Sequence, residues 1–145
     1  MRQSHFELEI ESRVENLPII AEFVRNALEQ FGVDPASEYK IELAVDEACT
    51  NVIKHAYAGT TGPIKLALEV TADELVIVIT NKGKPFDPSS VPPPDLTADV
   101  GTRKIGGLGM YFMNRLMDEV AYRFDARQGN QLTMKKRLSL RADAG

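Results

Sequence analysis

The chain has 145 residues, 43% apolar and 26% charged, with a net charge of −4: the length and balance of one soluble domain around a single core. That charge argues against general nucleic-acid binding, which needs a basic face to neutralise phosphates, although local groups such as Arg103 and Lys104 could still meet a nucleotide. One cysteine, Cys49, excludes an internal disulfide and a Cys/His zinc cluster. No apolar run approaches the roughly 20 residues of a membrane span, and the polar start Met1-Arg-Gln-Ser-His5 lacks the apolar core of a signal peptide. The expectation is one domain, 1–145, in the cytoplasm, away from membranes.

Phe6, Leu8 and Ile10 alternate with His5, Glu7, Glu9 and Glu11, so residues 5–12 predict a half-buried strand. From Val14 to Phe31, apolar residues recur at helical spacing (Ile19, Ile20, Phe23, Val24, Ala27, Leu28), and Gly32 closes that helix. Asp34 as N-cap and Pro35 at the first helical position start a second helix over 35–58. Its core stripe is Ile41, Val45, Ala48 and Val52. Glu47, Asn51 and His55, spaced by four, form a second, adjoining row. A turn, Gly59-Thr-Thr-Gly-Pro63, leads into strands at 63–71 and 74–81, a hairpin about Ala72-Asp73 whose second strand is almost wholly apolar, as a central strand should be.

A long Gly/Pro-rich stretch, 82–107, follows Asn81 and reads as a functional loop. A third helix is predicted over 108–118, with Met110, Phe112, Met113, Leu116 and Met117 as core material. Strands at 119–127 and 130–140, joined by the Gln128-Gly-Asn130 turn, complete the domain before a tail at 141–145. The order predicts an α+β two-layer sandwich: a mainly antiparallel sheet of about five strands covered on one face by three helices.

Three separated segments suit one phosphate site. On the second helix, Glu47 and Asn51 project one turn apart. A carboxamide oxygen is a good ligand for Mg²⁺, which takes few protein ligands and keeps waters, and a carboxylate beside the metal can orient or accept a hydroxyl proton. Lys54 and His55 add charge or hydrogen bonds for phosphate oxygens. Asn81, at a strand end, can read an adenine edge, and Gly83 lets backbone pass close to a flat ring. Gly106-Gly107-Leu108-Gly109, before a helix, offers backbone N–H groups to an anion.

Each piece alone also has a purely structural reading. Glu47 can be a solvated helix residue, Asn51 a structural polar group, and His55 a satisfied histidine at the core edge. Asn81 can cap its strand, Gly83 can mark a turn, and three glycines occur in many loops. Cys49 reads as a small hydrophobe. The conjunction, in order and on suitable elements, favours the functional reading.

These residues resemble a known family. Glu47-Ala-Cys-Thr-Asn51-Val-Ile-Lys-His55-Ala-Tyr57 looks like the N box of the GHKL (Bergerat-fold) ATPases, in the form carried by the anti-sigma-factor serine/threonine protein kinases. Asn81-Lys-Gly83-Lys-Pro-Phe-Asp-Pro88 resembles their G1 box, and Gly106-Gly-Leu-Gly-Met110 their G2 box; Gln131-Leu-Thr133-Met134 is similar to the closing strand that supplies a threonine near adenine. The resemblance, over residues 5–140, implies ATP and Mg²⁺ as cofactors. It makes Asn51 the Mg²⁺ ligand and Glu47 the general base for a partner's serine hydroxyl. Lys54, His55, Asn81, Gly83, Gly106, Gly107, Leu108, Gly109, Met110 and Thr133 join Asn51 around the nucleotide, and 88–106 becomes the ATP lid. It further implies a STAS-type anti-anti-sigma factor as phosphoacceptor, a sigma factor as a second partner, and a homodimer.

Two positions depart from the family pattern. The G1 box usually opens with an aspartate that accepts the adenine amino proton, and here Asn81 stands there; a second G1 glycine is replaced by Pro85. Losing the charge predicts about tenfold weaker ATP binding. A non-catalytic nucleotide- or partner-binding module of the same fold is the alternative reading. A detached histidine-kinase-like catalytic domain is a third, disfavoured because no phosphoacceptor helix pair is present.

Overall fold

The computed structural model describes residues 5–85 and 113–138. Five strands form one antiparallel sheet: β1 (His5–Glu11), β2 (Pro63–Thr71), β3 (Glu74–Asn81), β4 (Glu119–Asp125) and β5 (Gly129–Arg137), in the order β1-β2-β3-β5-β4. Two helices, α1 (Leu17–Phe31) and α2 (Pro35–Asn51), precede β2, and a short helical segment at 113–116, α3, precedes β4. The expected tail at 141–145, the lid at 88–106 and residues 108–112 of the expected third helix lie outside the described residues.

The helices form where the sequence places start and stop signals. A 3₁₀ turn at Val14–Asn16 precedes α1, because Pro18, which lacks an N–H, is suited to the first turn of a helix. Gly32 ends α1 in the left-handed region at φ 81°. Asp34 caps α2, its carboxylate accepting the Ser37 N–H at 3.1 Å, with Pro35 following it.

Strand alternation sends Leu8 and Ile10 of β1, Ile64, Leu66 and Leu68 of β2, Leu75, Ile77 and Ile79 of β3, and Leu132 and Met134 of β5 to one face. There they meet Ile20, Val24, Ala27, Leu28 and Phe31 of α1, the stripe Ile41, Val45, Ala48 and Val52, and Met113 and Met117. Cys49 is fully buried and its thiol is pushed up to about 12 by that burial, so it packs as an inert hydrophobe. Ile19, expected on the apolar face of α1, is 49% exposed; its neighbour Ile20 takes the core position.

Asn81 is the last residue of β3, the central strand, and pairs with Asn130 at the start of β5. The sheet therefore brings together two asparagines 49 residues apart. At the other end of β3, the Ala72-Asp73 turn holds Ala72 at φ 56°, a region that costs a residue with a Cβ roughly 1–2 kcal/mol. Ala72→Gly is accordingly expected to raise stability by up to about 1 kcal/mol, read as a higher urea midpoint with an unchanged slope.

Candidate functional site

Helix α2 does not run regularly to residue 58. After Asn51 it widens into a π turn, Val52–Ala56, closed by the Tyr57 N–H to the Val52 carbonyl at 3.0 Å. Such insertions cluster at functional sites. The row expected of Glu47, Asn51 and His55 thus starts on the regular helix and ends inside the π turn. Asn51 is 3% exposed, whereas Lys54 and His55 are exposed on the π turn.

Glu47 projects from α2 into partial burial, and its Oε1 is sealed from solvent without a hydrogen-bond partner. Burial, reinforced by the charge of Asp46, pushes its carboxyl up to about 7; the charge of Lys54 and a hydrogen bond with Asn51 act in the opposite direction. The bond with Asn51 and the reach of the Lys54 charge place all three in one neighbourhood. A buried acceptor lacking a donor is costly in a folded protein and is suited to a group arriving from outside.

The strand end is tied directly to the π turn. The Lys84 N–H donates to the Ala56 carbonyl at 2.7 Å, and the Lys82 N–H donates to the Tyr57 hydroxyl at 2.8 Å. That hydroxyl in turn donates to the Pro63 carbonyl at 2.7 Å. Gly83 is required here by protein rather than by a ring: a Cβ at this position would stand 2.4 Å from the Ala56 oxygen. The expectation that Gly83 leaves room for a flat base is revised accordingly, since its bare face is filled by the helix end.

Asn81 is 6% exposed and faces the helices. Its Oδ1 accepts the Gly83 N–H at 2.9 Å and the Asn130 Nδ2 at 2.9 Å. Asn130, 2% exposed, spreads its Nδ2 over Asn81 Oδ1, the Gly83 carbonyl at 3.1 Å and the Lys84 carbonyl at 2.9 Å, while its Oδ1 accepts the Tyr122 hydroxyl. The carboxamide pair holds the turn after β3.

Thr133, expected beside the nucleotide, lies on the other face of the sheet from Glu47, Asn51 and Asn81. It sits between buried Leu132 and Met134 and pairs with Val78, so the period of two turns it away from the helices. The inward-facing polar residue of β5 is Asn130, which sequence reasoning took only as part of a turn. Its even spacing from Leu132 and Met134 carried the signal. Gly106, Gly107, Leu108, Gly109 and Met110 lie outside the described residues.

With this geometry in view, comparison with known proteins gives a consistent result. Residues 10–136 match the family model of the histidine kinase-like ATPase domain. The chain is 30% identical over 139 residues to the serine-protein kinase RsbW of Bacillus cereus, covering 93% of this chain and 86% of that protein. It is 29% identical over 134 residues to the protein of the same name from Bacillus mycoides, covering 90% and 82%. A crystal structure of RsbU and RsbW domains from Mycobacterium tuberculosis matches its fold at TM-score 0.68 and 19% identity, over 94% of this chain; the chain spans 33% of that longer one. The chain belongs to the histidine kinase-like ATPase family, in the branch of the anti-sigma serine-protein kinases. Among the described residues no helix is long and apolar enough to cross a membrane.

Two predictions follow from the site's packing and titration. Burial pushes the native Glu47 carboxyl up to about 7, well above the range of an exposed glutamate. As pH rises through that window the unfolded chain loses its proton first, and stability is progressively lost. Glu47→Gln removes this penalty, so in metal-free protein its gain in thermal midpoint over the parent is expected to be larger at pH 8 than at pH 5; equal gains would count against a raised native pKa. Gly83→Ala forces the strand end off Ala56 and is expected to cost about 1–3 kcal/mol in denaturant unfolding.

Proposed function

We propose that this chain is a protein serine/threonine kinase of partner switching. In this reading it transfers the γ-phosphoryl group of a magnesium-chelated nucleoside triphosphate, ATP by its family resemblance, to a serine of a STAS-type anti-anti-sigma factor. The observation that carries the reading is the Glu47–Asn51 pair: a partly buried carboxylate with one orphaned oxygen, hydrogen-bonded to a buried carboxamide one turn away.

That pair fits the group the family implies. Glu47 is hydrogen-bonded to Asn51, and in this reading the carboxamide oxygen of Asn51 is the atom that would serve a cation. Among the described residues no three His, Cys, Asp or Glu side chains gather as a metal cage, so a magnesium ion at Asn51 would draw its other ligands from phosphate and water. When bound, the ion supplies charge neutralisation to the phosphates.

Glu47 titrates near neutrality, where a general base is most effective. It takes the proton of the acceptor serine, the freed oxygen attacks the γ-phosphorus, and the bond to the β-phosphate oxygen breaks to release the diphosphate. Lys54, whose charge already reaches Glu47, and exposed His55 serve phosphate oxygens at the mouth. In the same reading Gly106, Gly107, Leu108, Gly109 and Met110, which lie outside the described residues, are phosphate-binding residues and 88–106 is the ATP lid. A sigma factor as second partner and a homodimer belong to the same proposal.

The test is transfer of γ-labelled phosphate to a STAS-domain serine in the presence of Mg²⁺. Glu47→Gln is expected to lower the transfer rate by about 10²–10⁴-fold while nucleotide still binds by calorimetry, and Asn51→Ala to remove the magnesium dependence of binding. A Glu47→Gln protein that transfers phosphate at the parental rate overturns the assignment. A parent that binds nucleotide and transfers nothing makes the chain a non-catalytic module.

A further inference from the structure

We infer that the base pocket takes a 6-oxopurine, as in guanosine or inosine triphosphate, in preference to adenine, with Asn81 as the specificity-determining residue. The inference rests on the proposed nucleotide site, in which the side chain at position 81 meets the exocyclic group at the purine 6-position.

The orientation of the Asn81 carboxamide is fixed by its partners. The Gly83 backbone N–H can only donate, so the atom facing it at 2.9 Å is the Asn81 oxygen. Asn130 confirms the assignment independently. Its own Nδ2 faces the carbonyls of Gly83 and Lys84, and its Oδ1 faces the Tyr122 hydroxyl, so the group it directs at Asn81 is again a donor. Two donors occupy the two lone pairs of Asn81 Oδ1. The other arm of the carboxamide is an NH₂, for which the described residues offer no acceptor. It is not sealed off either, for the only buried side-chain polar atom left unpartnered among the described residues is Glu47 Oε1.

An aspartate at this position would accept the same two bonds through one oxygen and turn the second oxygen to the base, where it accepts from an adenine amino group. With asparagine the outward arm donates. Against adenine it sets donor to donor; against a 6-oxopurine it meets a carbonyl. A site that presents a buried polar group discriminates strongly against a base that cannot satisfy it, and exchanging one satisfied hydrogen bond for a mismatch is expected to separate the affinities by about tenfold or more.

The experiment is calorimetric titration of the parent chain and of Asn81→Asp with Mg·ATP, Mg·GTP and Mg·ITP. Inosine triphosphate lacks the 2-amino group and so removes that group as a cause of any preference for the oxopurines. The parent is expected to bind GTP and ITP about tenfold more tightly than ATP, and Asn81→Asp to reverse that order, with its thermal midpoint close to the parent's because both hydrogen bonds survive. Tighter binding of ATP than of both oxopurines by the parent overturns the inference and leaves the nucleotide site standing. An unchanged order in Asn81→Asp removes residue 81 as the determinant. No heat from any of the three overturns the inference together with the site it rests on.

Discussion

Everything proposed for this chain depends on the seam where the end of the second helix meets the turn after the central strand. The Ala56 carbonyl takes the Lys84 N–H, the Tyr57 hydroxyl takes the Lys82 N–H and gives its own proton to Pro63, and Gly83 lies so close to Ala56 that no side chain fits between them. A regular α-helical ending would present different carbonyls to the strand. The π turn is what aims the Ala56 oxygen at the G1 backbone, and the same turn follows immediately on Asn51. Asn51 and Asn81, the proposed metal ligand and base-reading residue, are thus set relative to one another by backbone, which holds position more firmly than side-chain contacts do.

The seam also shows where the fold gives up stability. A carboxylate with a sealed, unpartnered oxygen and a carboxyl lifted to about 7 is an unfavourable feature of the empty protein. Its neighbours are only partly compensating: Lys54 and Asn51 draw the titration down, burial and Asp46 push it up. Among the described residues no other buried side-chain polar atom lacks a partner. Ile41, Val45, Ala48 and Cys49 on the same helix are all buried at 2% exposure or less. A local departure from polar satisfaction within an otherwise consistent core is what a functional site looks like.

Much of this was legible in the sequence because it obeys short-range rules. Alternation gave the strands, the spacing of Ile41, Val45, Ala48 and Val52 gave the buried stripe, and Asp34-Pro35 gave the start of α2; hairpin strands β2 and β3 match their expected bounds of 63–71 and 74–81. What escaped depends on non-local contacts. The π turn answers to the Lys84 N–H, which approaches from 28 residues downstream, and no helical periodicity within 35–58 encodes it. Thr133 was placed by likeness of a short motif, whereas its side is fixed by strand register against β3. Asn130 was hidden because a turn and the first inward position of a strand overlap at one residue, and only pairing with Asn81 reveals which matters. Family membership came from the N box and G boxes together.

The sheet order has a consequence for how the site comes into being during synthesis. β3 is laid down beside β2 as a simple hairpin, but its other neighbour is β5, the last strand described. Until β5 slots in between β3 and β4, Asn81 has no Asn130 and the turn after it has lost the donor that gathers its carbonyls. A ribosome-bound chain that has not yet released β5 carries Asn51 and the turn after β3 but lacks the Asn130 side chain that binds the carbonyls of that turn. In the proposed site, recognition of the base would therefore wait on the last strand described, and a chain cut before Asn130 would lack the group that holds the turn after β3.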